Sequence, residues 1–335
     1  MNEAIGTLVE QLLQGNRRAL ARTLTVVESG GAPARTALSQ LYGYTGRAAI
    51  VGITGSPGTG KSTLVNALAK VYRAQHKTVG IVAIDPTSPF TGGALLGDRV
   101  RMRDLSGDPG VFIRSMATRG SLGGLARATA DAILVLDAAG YDRILVETVG
   151  VGQAEVDIAS TAHTTIVVEV PGLGDEVQAI KAGILEIADV FAVNKADREG
   201  ANRTVTALRM MLGIAPEEVR GISHHGQLMR IDTPSLPRAS AWEPPIVKTI
   251  ALQDSGISEL VEAVEGHWAF LQQSGLLGAR ERVRAANEVE SIVRRRLLEI
   301  VAQRVPVMEL DALVNRVAQR ELDPYTAADH LLAVV

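Results

Sequence analysis

The chain reads as an α/β fold built on a doubly wound, mostly parallel sheet, with helical extensions at both ends. Three observations predict it. Six short β-branched runs in the middle of the chain lack polar alternation, which suits strands buried on both faces. Longer Ala/Leu-rich stretches alternate with them, as right-handed crossover helices require. The first run leads directly into a glycine-rich loop and then a helix.

Taken in order, residues 3–29 form an amphipathic helix pair: Ile5, Leu8, Val9, Leu12 and Leu13 recur at helical spacing, and Leu20, Leu24 and Val27 repeat the pattern after Gly15. Gly30, Gly31 and Pro33 end it, and a short helix follows before Gly43. Strands are expected at 49–54, 78–85, 111–115, 142–148, 164–170 and 189–195. Residues 214–246 hold Pro216, Pro234, Pro237, Pro244 and Pro245 with few periodic apolars, and read as loop. A last strand at 246–252 precedes a helix at 257–273; from Gly278 the chain is helical again, with two shorter segments reaching Val335. The expected organisation is an N-terminal helical extension (1–45), a central nucleotide-binding domain (46–277) and a C-terminal helical arm (278–335).

Composition narrows the function. The 335 residues carry 34 Lys+Arg against 37 Asp+Glu, a net −3, which excludes a dedicated electrostatic coat for DNA. Aromatics are 3% of residues, too few for base-stacking platforms, so no nucleic-acid partner is expected. Cysteine is absent, which excludes disulfides, thiolate metal sites and thiol catalysis. The first twenty residues have an early acid and no uninterrupted apolar run, and no stretch approaches 18 apolar residues, so neither a signal peptide nor a membrane span is expected and the default compartment is the cytoplasm.

The strand at 49–54 enters Gly55-Ser56-Pro57-Gly58-Thr59-Gly60-Lys61-Ser62 and then a helix. This is the phosphate-loop pattern G-x-x-x-x-G-K-[ST] in its strand–loop–helix setting, and makes the fold that of a P-loop NTPase. Backbone N–H groups over Gly58, Thr59, Gly60, Lys61, Ser62 and Thr63 would converge on phosphate at a helix N-terminus, Lys61 would reach the β- and γ-phosphates, and the Ser62 hydroxyl would ligate Mg²⁺. Asn194-Lys195-Ala196-Asp197 follows another apolar strand and matches the guanine-reading N-K-x-D signature; a carboxylate at Asp197 accepts from guanine N1–H and the 2-amino group, a pattern adenine does not offer. A polar helix start capped by Asp197 is the plain alternative.

Acids supply the rest. Asp85 ends one strand and Glu147 another, with Gly150 three residues on, and carboxylates at the C-terminal ends of parallel strands face the ligand crevice. Glu147-Thr-Val-Gly150 reads as a Walker-B/switch element; a strand-end cap is the alternative for either acid. The Gly-rich stretch 86–102 suits a switch loop that brings Asp98 to the metal when the γ-phosphate is present. Lys61, Asp98 and Glu147 are the residues expected to carry catalysis, and Arg99, Arg101, Arg103 and Arg114 offer charge for phosphates or are simply solvated or paired.

Six blocks now resemble the MeaB/ArgK family: 55–62, 85–93, 96–102, 146–153, 171–184 and 194–197, joined by Gly15-Asn-Arg-Arg-Ala-Leu-Ala-Arg near the N-terminus. These are the methylmalonyl-CoA mutase-associated GTPases, homologous to the methylmalonic aciduria type A protein. The resemblance implies a homodimeric GTPase chaperone of a B12-dependent mutase, holding GTP or GDP with Mg²⁺, gating adenosylcobalamin loading and protecting the loaded enzyme. It makes 278–335 a dimerisation arm, Ser62, Asp85, Asp98 and Glu147 the metal group, and 171–186 the switch that relays nucleotide state to the mutase. Gly174, Asp175, Glu176, Gln178 and Lys181 are the coupling residues; an ordinary solvated helix face is the alternative. Where the family has Ser-Ala in the last strand, this chain has Ile250-Ala251, and the Ala251 N–H is expected at guanine O6.

Other features read blandly. His224-His225 is more readily solvated than a metal pair, Arg294-Arg295-Arg296 is a solvated helix face, and Leu297, Leu298, Ile300 and Val301 pack between helices, as interface core if the chain dimerises. A nickel metallochaperone GTPase is disfavoured by the lack of Cys and only six His. An ATP-dependent kinase, which the ArgK label suggests, would need an acceptor site and base that the sequence does not display.

Overall fold

The computed structural model describes residues 2–85, 103–105, 107–117, 122–148, 154–172, 187–214 and 242–334. Strands β1 (Ala49–Thr54), β2 (Val79–Asp85), β3 (Val111–Ala117), β4 (Arg143–Glu147), β5 (Thr164–Glu169), β6 (Val190–Val193) and β7 (Ile246–Lys248) form one sheet in the order β3-β2-β4-β1-β5-β6-β7. All six pairings are parallel, as the unbroken apolar runs require. The central β1 pairs with β4 and β5, so three strand ends converge on the loop that leaves Thr54.

Period-two alternation sorts the strands onto two cores. On one face Ile50, Val82, Ile144 and Val146 join side chains from α1 (Asn2–Leu13), α2 (Arg17–Ser29), α3 (Gly31–Leu41) and α5 (Leu122–Ala138). On the other, Val51, Ile53, Ile81 and Leu145 meet α4 (Lys61–Ala74) and α8 (Ile257–Gln273). Two further helices, α6 (Ala154–Thr161) and α7 (Ala201–Ile214), cover the crossovers, with Leu208 packed on Phe191 and Val193.

The Gly15–Arg22 block has a local reason. Asn16 Oδ1 accepts from the N–H groups of Arg18 (3.0 Å) and Ala19 (3.1 Å), capping α2. Arg17 donates to the carbonyls of Pro109 (3.1 Å) and Val111 (2.6 Å), covering the start of edge strand β3. The expected last strand is shorter than 246–252. Ile250 bonds back to Ser255, the chain tightens into a 3₁₀ turn at Ala251–Gln253, and a side chain on Gly256 (φ 73°) would come within 2.1 Å of Lys248 O. β3 instead runs on to Ala117, opposite Asp85.

At the end of the sheet away from the phosphate loop lies a buried polar cluster. Asp189 accepts from Arg280 (2.8 Å) and from Thr165 N–H (2.8 Å), and its Oδ1 lies 3.2 Å from His267 Nε2. His267 Nδ1 shares a hydrogen bond with the Thr164 hydroxyl (2.9 Å). Burial drives the His267 pKa down to about 4, against the pull of the Asp189 carboxylate.

The described residues up to Arg280 form one compact unit, and those from Glu281 onward a second. The second holds the remainder of α9 (Leu276–Arg304), α10 (Val307–Ala318) and α11 (Pro324–Leu332). Asp323 caps α11 through Tyr325 and Thr326 N–H, with Pro324 at its first position. Several large apolar side chains of this unit are exposed, among them Leu298 (66%), Val307 (74%) and Met308 (85%). No helix among the described residues is long and apolar enough to cross a membrane.

Candidate functional site

The loop from Gly55 to Gly60 turns sharply between β1 and α4. Gly55 sits at φ 136°, where a Cβ would lie 2.3 Å from Val168 O on the neighbouring strand. Gly60 precedes α4 at φ 90°, where a Cβ would lie 2.6 Å from Asn194 Nδ2. Both close approaches need glycine. Thr59 is buried with its hydroxyl on Ser56 O (2.9 Å); Lys61 and Ser62 open α4 and are buried, and Thr63 is half-buried beside them. The first-turn N–H groups of α4 thereby form the anion-binding helix start that the motif requires. Lys61 Nζ donates to Gly55 O (2.7 Å) and Ser56 O (3.0 Å), which holds its ammonium inside the loop.

Glu147 ends β4, in register with Ile53 on one side and Ala83 on the other. It is buried, and Ser62 Oγ donates to its Oε1 over 2.6 Å. Two hard oxygen donors thus meet beside the phosphate loop, a donor set suited to Mg²⁺. Of the other two expected ligands, Asp85 is the last residue of β2 and its side chain is outside the described residues; Asp98 lies outside them altogether. So do Gly174, Asp175, Glu176, Gln178, Lys181, His224 and His225. No group of three or more His, Asp and Glu able to hold a metal ion is found among the described residues.

Asn194 follows β6 and is buried against the loop. Its Nδ2 donates to Thr59 O (2.8 Å), and its Oδ1 accepts from Ala251 N–H (3.1 Å) and the Thr249 hydroxyl (3.3 Å). The Ala251 N–H, expected at guanine O6, is therefore directed at Asn194. Lys195, in the left-handed region at φ 55°, stretches to Gly58 O (2.7 Å) and lays its alkyl stem alongside the loop. Ala196 N–H donates to Thr249 O (3.0 Å), and Asp197 next to it is exposed, available to a base. Asn194, Lys195 and Ala196 thus join the signature to the phosphate loop and to the 249–251 segment. Sequence reasoning missed Thr249 as a support, since only its distance from Asn194 in the fold identifies it.

Arg114 follows the paired alternative. It is paired with Glu28 and also reaches Thr25 Oγ1 (3.4 Å), which fastens α2 to β3 rather than serving phosphate. The Arg103 side chain lies outside the described residues, as do Arg99 and Arg101.

Known proteins match this architecture over nearly its full length. A Pyrococcus abyssi chain bearing a GTPase name is 50% identical over 328 residues, covering 98% of this chain and 96% of that one. GTPase ArgK of Escherichia coli is 36% identical over 297 residues (87% and 83%), and the mitochondrial methylmalonic aciduria type A homolog of Caenorhabditis elegans is 30% identical over 342 (97% and 81%). The crystal structure of an LAO/AO transport system kinase superposes with a TM-score of 0.69 at 27% identity, over 99% of this chain and 97% of that one. The family model described as methylmalonyl Co-A mutase-associated GTPase MeaB matches residues 20–305. The chain belongs to this MeaB family, and it is a P-loop GTPase that binds guanine nucleotide and hydrolyses GTP.

Proposed function

We propose that the chain is a GTP-hydrolysing chaperone of an adenosylcobalamin-dependent acyl-CoA mutase, methylmalonyl-CoA mutase foremost, gating cofactor loading and protecting the loaded enzyme in the cytoplasm. What carries the reading is an assembled phosphate-and-base cradle in a chain whose family, matched over residues 20–305, is described by its association with that mutase.

In this reading Asp197 takes guanine N1–H and the 2-amino group, and the Lys195 stem covers one face of the base. The Lys61 ammonium leaves Gly55 O and Ser56 O for the β- and γ-phosphates as nucleotide enters. Water then attacks the γ-phosphoryl in line, giving GDP and phosphate, while Lys61 and the loop N–H groups stabilise the charge spreading over the phosphoryl oxygens. Ser62 and Glu147, with Asp85 and Asp98, would hold Mg²⁺, which when bound offsets charge across the β- and γ-phosphate oxygens. The sequence displays no evident water-positioning base and no identifiable arginine finger in cis, so slow intrinsic turnover raised by the partner is expected.

Residues 278–335 serve as the dimerisation arm of a homodimer, and Gly174, Asp175, Glu176, Gln178 and Lys181 relay nucleotide state to the mutase. The test is GTP turnover with and without purified methylmalonyl-CoA mutase, together with co-elution of the two proteins in GTP and in GDP. The expected result is stimulation in the wild type and none in Lys181→Ala, with equal basal rates. Unchanged turnover and no co-elution in either nucleotide would overturn the chaperone reading.

A further inference from the structure

Two threonines stand where adjacent strands part. β1 ends at Thr54 and enters the phosphate loop; β4 ends at Glu147, and Thr148 leads away from it. The backbone register ends with Ile53 opposite Glu147, closed by Thr148 N–H on Ile53 O (3.1 Å). Beyond that point the seam continues through side chains: Thr148 Oγ1 donates to Thr54 Oγ1 over 3.0 Å, with the two residues 1% and 0% exposed.

Side chains alternate along a strand, so this pair lies on the face opposite Glu147 and Ile53. Ile53 packs in the core shared with α4, the helix that carries Ser62. The hydroxyls therefore sit behind the site and act on nothing in it directly. Packing alone does not call for them, since two valines of the same shape would fill the space at nearly neutral stability. A hydrogen bond does what valines cannot: it fixes the separation of the two chain exits. One exit becomes the phosphate loop, and the other begins one residue after the carboxylate that Ser62 meets at 2.6 Å.

We infer that the Thr54–Thr148 hydroxyl pair is a positioning pair that sets the Glu147 carboxylate against Ser62 and thereby tunes the affinity of the divalent-cation site. This rests on the Mg²⁺ reading proposed above. The test follows release of fluorescent N-methylanthraniloyl-GDP from the full-length protein through a Mg²⁺ titration, beside melting temperature. Thr148→Val should raise the Mg²⁺ concentration that half-slows release by about tenfold, the scale of one lost buried hydrogen bond, while Thr148→Ser keeps the wild-type value. The double variant Thr54→Val/Thr148→Val leaves no unpaired hydroxyl, so its melting temperature should return toward wild type while its Mg²⁺ dependence stays shifted. A wild-type Mg²⁺ dependence in the double variant, or Thr148→Ser shifted as far as Thr148→Val, overturns the inference and leaves the metal reading standing. Release from the wild-type protein that ignores Mg²⁺ overturns both.

Discussion

The Asn194 carboxamide donates to Thr59 O over 2.8 Å on one side and accepts from Ala251 N–H over 3.1 Å on the other, so a single buried side chain joins the phosphate loop to the turn after β7. The phosphate loop and the turn after β7 are thereby held together. Asn194→Ala would leave a buried carbonyl and a buried N–H without partners, each costing about 1–3 kcal/mol. GDP affinity should fall by ~10²-fold in calorimetry, more than the loss of one ligand contact. Asn194→Asp keeps the acceptor but has no N–H for Thr59, and should fall with it. An affinity within twofold of wild type in both variants would separate the two halves of the site.

Asp197 is exposed beside a backbone held by Ala196 N–H on Thr249 O, so its removal touches the ligand and not the fold. Asp197→Ala should weaken GDP binding by ~10²-fold or more at unchanged melting temperature. Asp197→Asn should favour xanthosine nucleotides, because a carboxamide can donate to their 2-oxo group. Competition between GDP and XDP measures this, and a retained preference for GDP in Asp197→Asn would remove the base assignment.

The parallel sheet was legible because strands buried on both faces must be apolar throughout, as at Ile50–Ile53 and Ile144–Val146. The phosphate loop was legible because its signature is one contiguous run from Gly55 to Ser62, even though the crowding that Gly55 and Gly60 avoid comes from Val168 and Asn194, far along the chain. What was not legible depends on partners far apart in the chain. Arg114 reads as a phosphate contact or as a solvated or paired cation until Glu28 is found against it, 86 residues away. The shortness of β7 follows from the tightness of the turn at Gly256, and the direction of the Ala251 N–H from an asparagine 57 residues earlier. Thr54 and Thr148 look like ordinary strand-end residues until the register brings them together.

The His267 cluster makes a pH prediction. In the folded chain His267 is held near pKa 4, first by burial, then through Arg280 and His163, with Asp189 opposing them. In the unfolded chain it titrates near 6.5, so between these values the unfolded state binds the extra proton. The stability this group contributes is therefore whole above pH ~6.5 and is lost as pH falls toward 4, by at most about 3 kcal/mol. His267→Gln carries an amide to the Nε2 position beside Asp189 but does not titrate. Urea midpoints measured across this range should fall less steeply in His267→Gln than in wild type. Parallel curves would mean that His267 is not the group responsible.

The last prediction concerns assembly. Within the C-terminal unit, Leu298 on α9 and Val307 and Met308 at the start of α10 are 66%, 74% and 85% exposed, and Val314, one heptad after Val307, is 58% exposed. Val307, Leu310 and Val314 lie at i, i+3 and i+7 of one helix, which makes a stripe and not a scatter. Contiguous apolar surface of this kind is uncommon on a monomer, and an isologous contact would cover it on two copies at once. Because these side chains are exposed in the single chain, charge there disturbs no core. Val307→Glu/Val314→Glu should therefore convert a dimer into a monomer by light scattering, with GDP affinity and the melting temperature of the nucleotide-binding unit unchanged. A wild-type protein that scatters as a single chain at micromolar concentration, or a double variant that remains dimeric, would place the contact elsewhere or remove it.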